Sequence, residues 1–359
     1  MSPVDQAASR DEHWMHQAIE LAKQGWYTTR PNPVVGCVIV KSEQQIGSGF
    51  HQRAGGPHAE VFALREAGIA AQGATAYVTL EPCAHTGRTP PCALALIDAG
   101  VSRVVMASLD SNPLVAGKGK ALLEAAGIAC TVGVCEQEAR VLNPGFLRVM
   151  AGGLPWVRLK IGMSLDGRTA MASGESKWIT GAASRLDVQS WRARSGAIIT
   201  GSGTVLADDP AMTVRELPEL ESIADIPQPL VAILDRSGRV KPEAQLFRQP
   251  ERIRVFGSRS PVAAVPAHPA ESLVSVLEQL RDRDQVREVL VEAGPALSGA
   301  FIQAGLVDEL IVYQAPTLLG DRARPMVQLG LERLEQQVRW SLQEGVRFGE
   351  DVRVVFVPM

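Results

Sequence analysis

Cys83 and Cys92 lie in the run EPCAHTGRTPPC, and a His58–Ala59–Glu60 triplet precedes them. One imidazole and two thiolates make three zinc ligands, and three protein ligands leave the fourth tetrahedral position to water. Zinc lowers the pKa of such a water to about 7, so hydroxide becomes available at neutral pH. Glu60 is then the missing proton carrier, near the metal without being bound to it. These groups together can add water to a carbon bearing an amino group and release ammonia.

The spacing says where these residues must sit. Each helical residue turns about 100°, so in mid-helix His58 and Glu60 would point away from each other. They can share a site only if His58 starts the helix, and Gly55, Gly56 and Pro57 put the start there. Cys92 follows Pro90 and Pro91 at the start of the next helix, and Cys83 ends the strand and loop before it. Helix starts favour thiolates. H-x-E, then P-C, then a second Cys is the zinc-deaminase arrangement, here with a longer gap between the cysteines. Singly, each residue reads more plainly as a buried thiol or a solvated carboxylate; the combination carries the metal reading. A closed structural zinc site would need a fourth ligand, for which His51 and His85 are candidates. Cys37, Cys130 and Cys135 lie on strand patterns and are expected in the core.

Around these residues, 11–24 reads as an amphipathic helix with Trp14, Ala18, Leu21 and Ala22 on one face. Strands are expected at 33–40, QQIGSGF, 74–80, 102–108 and IACTVGV, with helices at 58–68, 91–100 and KALLEAAG. This alternation predicts a layered α/β domain over residues 1–150. Gly152, Gly153 and Pro155 punctuate a junction. A second α/β domain, 151–359, has strands at WVRLKIGM, 197–200, 229–235, 287–292, 308–314 and RVVFVP. Its helices are expected at 184–194, 272–283 and 296–304, and 216–228 and 258–270 read as surface loops.

The chain carries 36 Lys+Arg against 39 Asp+Glu, a net charge of −3. That counts against a nucleic-acid partner, and so against a deaminase acting on tRNA. No apolar run of about 18 residues and no signal-like N-terminus occurs, so no membrane partner is expected and the cytoplasm is the default location. Thiols stay reduced there, and five cysteines, an odd number, suit metal or catalysis better than a disulfide framework.

The second half is less explicit. No G-x-G-x-x-G follows a strand, so a Rossmann fingerprint is absent. Two Gly-rich turns, in AIITGSGTV and VLVEAGPALSG, do follow strands. Such turns offer bare N–H groups to phosphates, or are ordinary strand–helix connections. Lys160 lies on an apolar strand, and Asp208 and Glu292 are the acids nearest the turns. All three are candidates for proton transfer.

PNPVVGCVIV, GGPHAEVFAL, YVTLEPCAHTGRTPPC and NPGFL resemble the deaminase half of the bifunctional deaminase–reductase family of riboflavin biosynthesis. LKIGMSLDGRTAMASGESKWITG, WRARSGAIITGSGTVLADDPAMTVR and VEAGPALSGAF resemble its reductase half. The resemblance runs from about residue 12 to 355. Ser111 stands where the family usually has Pro, and TGAASR varies where the family itself does. The resemblance implies a cytidine-deaminase-like three-layer domain and a dihydrofolate-reductase-like domain. The first would remove the 2-amino group of a diaminopyrimidinone ribosylamino 5′-phosphate with zinc; the second would reduce the ribosyl group to ribityl with NADPH. It assigns zinc to His58, Cys83 and Cys92, and proton transfer to Glu60 in the first half and to Lys160, Asp208 or Glu292 in the second. Substrate would meet Asn32, His51, His85, Arg88, Ser176, Arg192, Arg215 and Glu292. NADPH would meet Gly162, Trp178, Thr204, Asp208 and the run Gly294, Pro295, Ala296, Leu297, Ser298 and Gly299. Ser237 is the candidate for its 2′-phosphate. A small-molecule substrate and a homo-oligomer are expected.

Overall fold

Short apolar strands alternating with helices build two units, Met1–Gly153 and Leu154–Met359. The computed structural model describes residues 3–84, 91–112 and 116–359. In the first unit the order is α1 (Pro3–Lys23), β1 (Gly36–Lys41), β2 (Gln44–Phe50), α2 (Ala59–Ala67), β3 (Thr75–Val78), α3 (Cys92–Asp98), β4 (Arg103–Met106), α4 (Lys118–Ala125), β5 (Ala129–Val132), α5 (Glu136–Arg140) and α6 (Pro144–Met150). One sheet runs β2-β1-β3-β4-β5. β1 is antiparallel to β2 and β3, whereas β3, β4 and β5 are parallel.

Side chains alternate across a strand, and here both faces are apolar. Cys37, Ile39, Ala76, Val78, Val104 and Met106 pack on Ala59 and Ala63 of α2, Leu96 of α3 and Leu123 of α4. Val38, Val40, Tyr77 and Val105 pack on Met15, Ala18 and Ala22 of α1 and on Ala139 of α5. The result is three layers. A Cβ at Gly36 would fall 1.9 Å from the Ala18 carbonyl oxygen, so glycine alone lets α1 lie this close to β1. Of the cysteines expected in the core, Cys37 is fully buried, and Cys130 packs partly on the core from β5. Cys135 departs from its expected strand: it is the left-handed residue (φ 52°) that starts α5.

The second unit contains β6 (Trp156–Ser164), β7 (Arg168–Ala170), α7 (Ala182–Arg194), β8 (Ala197–Gly201), α8 (Ser202–Asp208), β9 (Leu230–Leu234), β10 (Ile253–Phe256), β11 (Ala267–His268), α9 (Leu273–Asp284), β12 (Glu288–Val291), α10 (Pro295–Gln303), β13 (Glu309–Ala315), β14 (Arg324–Pro325), β15 (Trp340–Phe348) and β16 (Asp351–Pro358). Nine strands form a sheet ordered β11-β10-β9-β8-β12-β6-β13-β16-β15. It is parallel from β11 to β13 and antiparallel at β16 and β15. One face packs Leu159, Ile161, Ile199 and Val291 against α9 and α10 through Leu277, Leu280 and Phe301. Elsewhere Ile198, Val231, Ile233 and Val255 pack on Val205 of α8 and on Leu246 and Phe247. α8 and β15 were not expected from periodicity. α8 is only seven residues long, and β15 is mostly exposed and shows little apolar alternation. Among the described residues no helix is long and apolar enough to cross a membrane.

Candidate active sites

In the first unit His58 is the extended residue that caps the start of α2, and Cys92 is the first residue of α3. His58 Nδ1 lies 3.2 Å from Cys92 Sγ and 3.6 Å from Cys83 Sγ. All three ligand atoms fall within 4.8 Å of one another. Tetrahedral zinc with Zn–S near 2.3 Å and Zn–N near 2.0 Å needs ligand atoms about 3.5–3.8 Å apart, so this donor set fits zinc. Among the described residues this is the group of His, Cys, Asp and Glu side chains able to hold a metal. The Cys92 N–H donates to Cys83 Sγ at 3.3 Å. A hydrogen bond from the Cys92 thiol, opposed by burial and aided by His58, holds the Cys83 thiol down to about 4. The same hydrogen bond, with burial, pushes Cys92 up. His58 is raised, chiefly by its contact with Cys83.

Glu60 is the second residue of α2, in its first turn, and is 3% exposed. Its Oε2 is buried and has no hydrogen-bond partner, and burial raises its pKa. A carboxylate oxygen enclosed beside a metal trio, with nothing to bond, is placed for a reacting molecule.

Around this trio runs a chain of polar contacts. The His51 ring stacks edge-on against His58 with centroids 5.3 Å apart. Its Nδ1 lies 3.0 Å from the Pro57 carbonyl, so that nitrogen carries the hydrogen. Its Nε2 then accepts from Asn32 Nδ2 at 3.2 Å. His51 is therefore spent on Asn32 and Pro57 rather than offered as a fourth zinc ligand. The loop bearing Asn32 is fixed by Asn143, whose side chain exchanges two 2.8 Å hydrogen bonds with the Val34 backbone. Sequence reading passed over Asn143; it starts α6 yet makes no side-chain cap bond there. Glu81, also missed, accepts the N–H groups of Asp110, Gly117 and Lys120 and so ties the start of α4 to the strand end before Cys83. His85 and Arg88 lie outside the described residues.

The second unit holds a cavity of about 860 Å³ at the C-terminal ends of its parallel strands, where α/β sheets bind ligands. Because β8 and β12 are neighbours, the two Gly turns meet. A Cβ on Gly201 would lie 3.4 Å from Leu297, and one on Gly294 would lie 3.9 Å from Thr204 Oγ1. The cavity wall includes Lys160, Gly162, Ser176, Trp178, Arg192, Thr204, Asp208, Arg215, Glu292, Gly294, Pro295, Ala296 and Leu297. Ser237, Ser298 and Gly299 are not in that wall. Ser298 is fully buried and gives its hydroxyl to the Ala293 carbonyl. A Cβ on Gly299 would lie 2.0 Å from the Gln328 carbonyl oxygen, so it faces the protein interior. Ser237 is exposed on the turn after β9.

Glu292 and Arg192 form a two-pronged ion pair, Nε–Oε1 2.5 Å and Nη2–Oε2 2.9 Å. Lys160 Nζ stands 4.0 Å from the same carboxylate. Burial pushes Glu292 up, but Arg192, Lys160 and Arg215 outweigh it and hold the acid below its ordinary range. Burial lowers Lys160, with Glu292 opposing. Asp208 accepts from the Ser176 hydroxyl at 3.3 Å. Trp178 is 70% exposed under the Arg185 guanidinium, 4.3 Å from its ring centre.

Residues 8–108 match the cytidine and deoxycytidylate deaminase zinc-binding region, and residues 155–354 match the RibD C-terminal domain. The chain is 50% identical to riboflavin biosynthesis protein RibD of Escherichia coli, over 96% of the chain and 98% of the relative.

The chain belongs to the RibD family.

The RibD of Haemophilus influenzae is 48% identical over 98% of each chain. A solved structure of Acinetobacter baumannii RibD superposes with a TM-score of 0.94 at 54% identity, covering 98% of this chain and 99% of that one. The Thermotoga maritima diaminohydroxyphosphoribosylaminopyrimidine deaminase/5-amino-6-(5-phosphoribosylamino)uracil reductase gives 0.89 at 32% identity, covering 98% and 100%. As a RibD chain this is a bifunctional deaminase and reductase of riboflavin biosynthesis, acting on a small molecule with zinc and NADPH as cofactors. Its first unit is cytidine-deaminase-like and its second dihydrofolate-reductase-like, as the sequence motifs imply.

Proposed function

We propose that the first unit hydrolyses the 2-amino group from 2,5-diamino-6-ribosylamino-4(3H)-pyrimidinone 5′-phosphate. The second unit then reduces the ribosyl group of the product to ribityl. The observation that carries the first step is the metal trio with the enclosed, unpartnered oxygen of Glu60 beside it. When bound, zinc supplies a Lewis acid that makes water acidic near neutral pH, and NADPH supplies hydride. Glu60 takes the proton of the attacking water and returns one to the departing nitrogen, so water and the amino compound become the carbonyl compound and ammonia. Asn32, with its NH₂ engaged by His51, turns its carbonyl oxygen to an N–H of the pyrimidine.

For the second step, Glu292 is held ionised by Arg192 and so is a poor proton donor at neutral pH. Lys160, in the cavity wall, would donate the proton that the ribosyl ring oxygen needs as the ring opens. Arg192 and Arg215 hold Glu292 and the substrate phosphate; the Gly turns, Trp178 and Thr204 hold the cofactor. Deamination belongs to the unit Met1–Gly153 and reduction to the unit Leu154–Met359, a few residues beyond the boundary at 150 expected from the sequence. A cytoplasmic, reducing setting is supported by the five free cysteines, and a homo-oligomer by the long exposed edge strand β15. A coupled assay with the diaminopyrimidinone phosphate tests the reading. One ammonia should be released before each NADPH is oxidised; NADPH oxidation without ammonia release would contradict it.

A further inference from the structure

The ammonium of Lys160 lacks a firm polar partner. Among the described residues its Nζ makes no hydrogen bond. The carboxylate of Glu292 stands 4.0 Å away, beyond hydrogen-bond reach, and both its oxygens are taken by Arg192. An ammonium on a long, flexible stem is free to swing aside unless something else holds it.

The neighbouring strand supplies that something. β13 lies beside β6 in parallel, with Ile311 opposite Lys160 and Tyr313 opposite Gly162. Alternate residues share a face, so all four lie on the face where Ile311 and Tyr313 pack against Val188 and Trp191 of α7. The Tyr313 ring presents its face to Lys160, its centre 6.0 Å from Nζ. A Cβ on Gly162 would lie 3.8 Å from the same Nζ, so glycine there keeps the space beside the ammonium clear. The ring is held from its other end. Tyr313 is 1% exposed, and its hydroxyl donates to Asp187 Oδ2 at 2.5 Å. Arg353 donates to that same oxygen from Nη1 and to Glu344 from Nη2, each at 2.7 Å. Burial and Asp187 push the phenol up, so the ring stays neutral. Tyr313 is not in the cavity wall, so its effect on the reaction passes through Lys160.

We infer that Tyr313, braced by Asp187 and Arg353, is a positioning residue for the reduction, its aromatic face holding the Lys160 ammonium at the cavity in its charged form. The face of an aromatic ring is the negative part of its quadrupole and attracts a cation at this distance. Burial lowers Lys160, Glu292 of β12 opposes the shift and Arg192 of α7 adds to it; the ring acts in the same sense as Glu292. Arg215 acts on Glu292 from the segment after α8. The inference rests on the reading of Lys160 as the proton donor.

The test weakens the ring face without changing its shape. Tyr313→Phe keeps the face, Tyr313→trifluorophenylalanine keeps the shape but drains the face of negative charge, and Tyr313→Leu removes it. The Lys160 pKa is read in the full chain, without cofactor or substrate, by NMR of isotope-labelled lysine, with the signal assigned by its loss in Lys160→Met. Saturable NADPH binding checks the fold of the second unit. A cation held by a ring in a desolvated place gains enough to move its pKa by roughly one unit. The ring favours the charged form, so its loss lowers the pKa. Lys160 should therefore titrate about one unit lower in the fluorinated and Leu variants than in wild type, and near its wild-type value in Tyr313→Phe. A donor works protonated, so the reductase kcat, measured with the deaminated uracil compound, falls as pH rises through that pKa. This alkaline limb should shift down by the same amount, with KM little changed. A fluorinated variant that binds NADPH and leaves the Lys160 pKa unmoved overturns the role of the ring, as does Tyr313→Phe shifting as far as Tyr313→Leu. A lowered Lys160 pKa with an unmoved limb would instead overturn Lys160 as the donor, and the inference with it.

Discussion

Replacing Glu60 by Gln isolates proton transfer from everything else in the first unit. The amide keeps the shape of a side chain that is 3% exposed, and the oxygen it alters, Oε2, has no protein partner to lose. His58, Cys83 and Cys92 are untouched, so zinc content should stay at one per chain. The amide cannot shuttle protons, and general acid–base help is worth about 10²–10⁴-fold. At about 1.4 kcal/mol per decade this is roughly 3–5 kcal/mol of barrier. Ammonia release from saturating diaminopyrimidinone phosphate should therefore fall by that factor. Elemental analysis checks the metal, and NADPH oxidation with the already deaminated uracil compound checks that the protein is otherwise sound. Near-wild-type ammonia release from a zinc-loaded variant would show that another group carries the proton.

Removing Asn143 as Asn143→Ala strips both hydrogen bonds from the buried Val34 backbone at a cost of about 1–3 kcal/mol per unpaired group. Denaturant unfolding should show the loss, and the deaminase KM should rise while zinc is retained. Arg192→Met takes from buried Glu292 its two-pronged partner and leaves only the charges of Lys160 and Arg215, a change that costs about 3–5 kcal/mol when a buried pair loses one member. Adding Glu292→Gln should recover part of that stability in the same unfolding experiment. Asp166 is held down to about 2 by the Ser164 hydroxyl and by the Leu319 and Gly320 N–H groups. A depressed carboxylate stabilises the fold above its unfolded pKa near 4, and that gain vanishes as pH falls through about 2. Thermal melts should therefore show Asp166→Asn less stable than wild type at pH 6, with the gap closing as pH falls from about 4 to 2.

The metal trio was legible because its signals are local. Gly55–Gly56–Pro57 and Pro90–Pro91 mark helix starts, and a helix start is where His58 and Cys92 can turn toward one site. The reductase wall was legible in part, since glycine turns after strands mark ligand edges, but the direction each residue faces is set by packing. Ser298 and Gly299 follow the turn in sequence yet point inward, to Ala293 and Gln328. Asn143 and Val34 are 109 residues apart, and no periodicity announces such a pairing. The edge strand β15 was missed because its mostly exposed residues need no apolar alternation.

The most direct measurement of two separate chemistries in one chain is a pair of assays on Cys83→Ser. The variant loses one of three ligands that all lie within the first unit, while the cavity lined by Lys160 and Glu292 belongs wholly to the second. If each unit keeps its own core, damage to one site leaves the other folded. The variant should release no ammonia from the diaminopyrimidinone phosphate, yet oxidise NADPH at the wild-type rate when given the deaminated ribosylaminouracil phosphate. Loss of both activities in a Cys83→Ser protein with an intact thermal transition would contradict the assignment of one reaction to each unit.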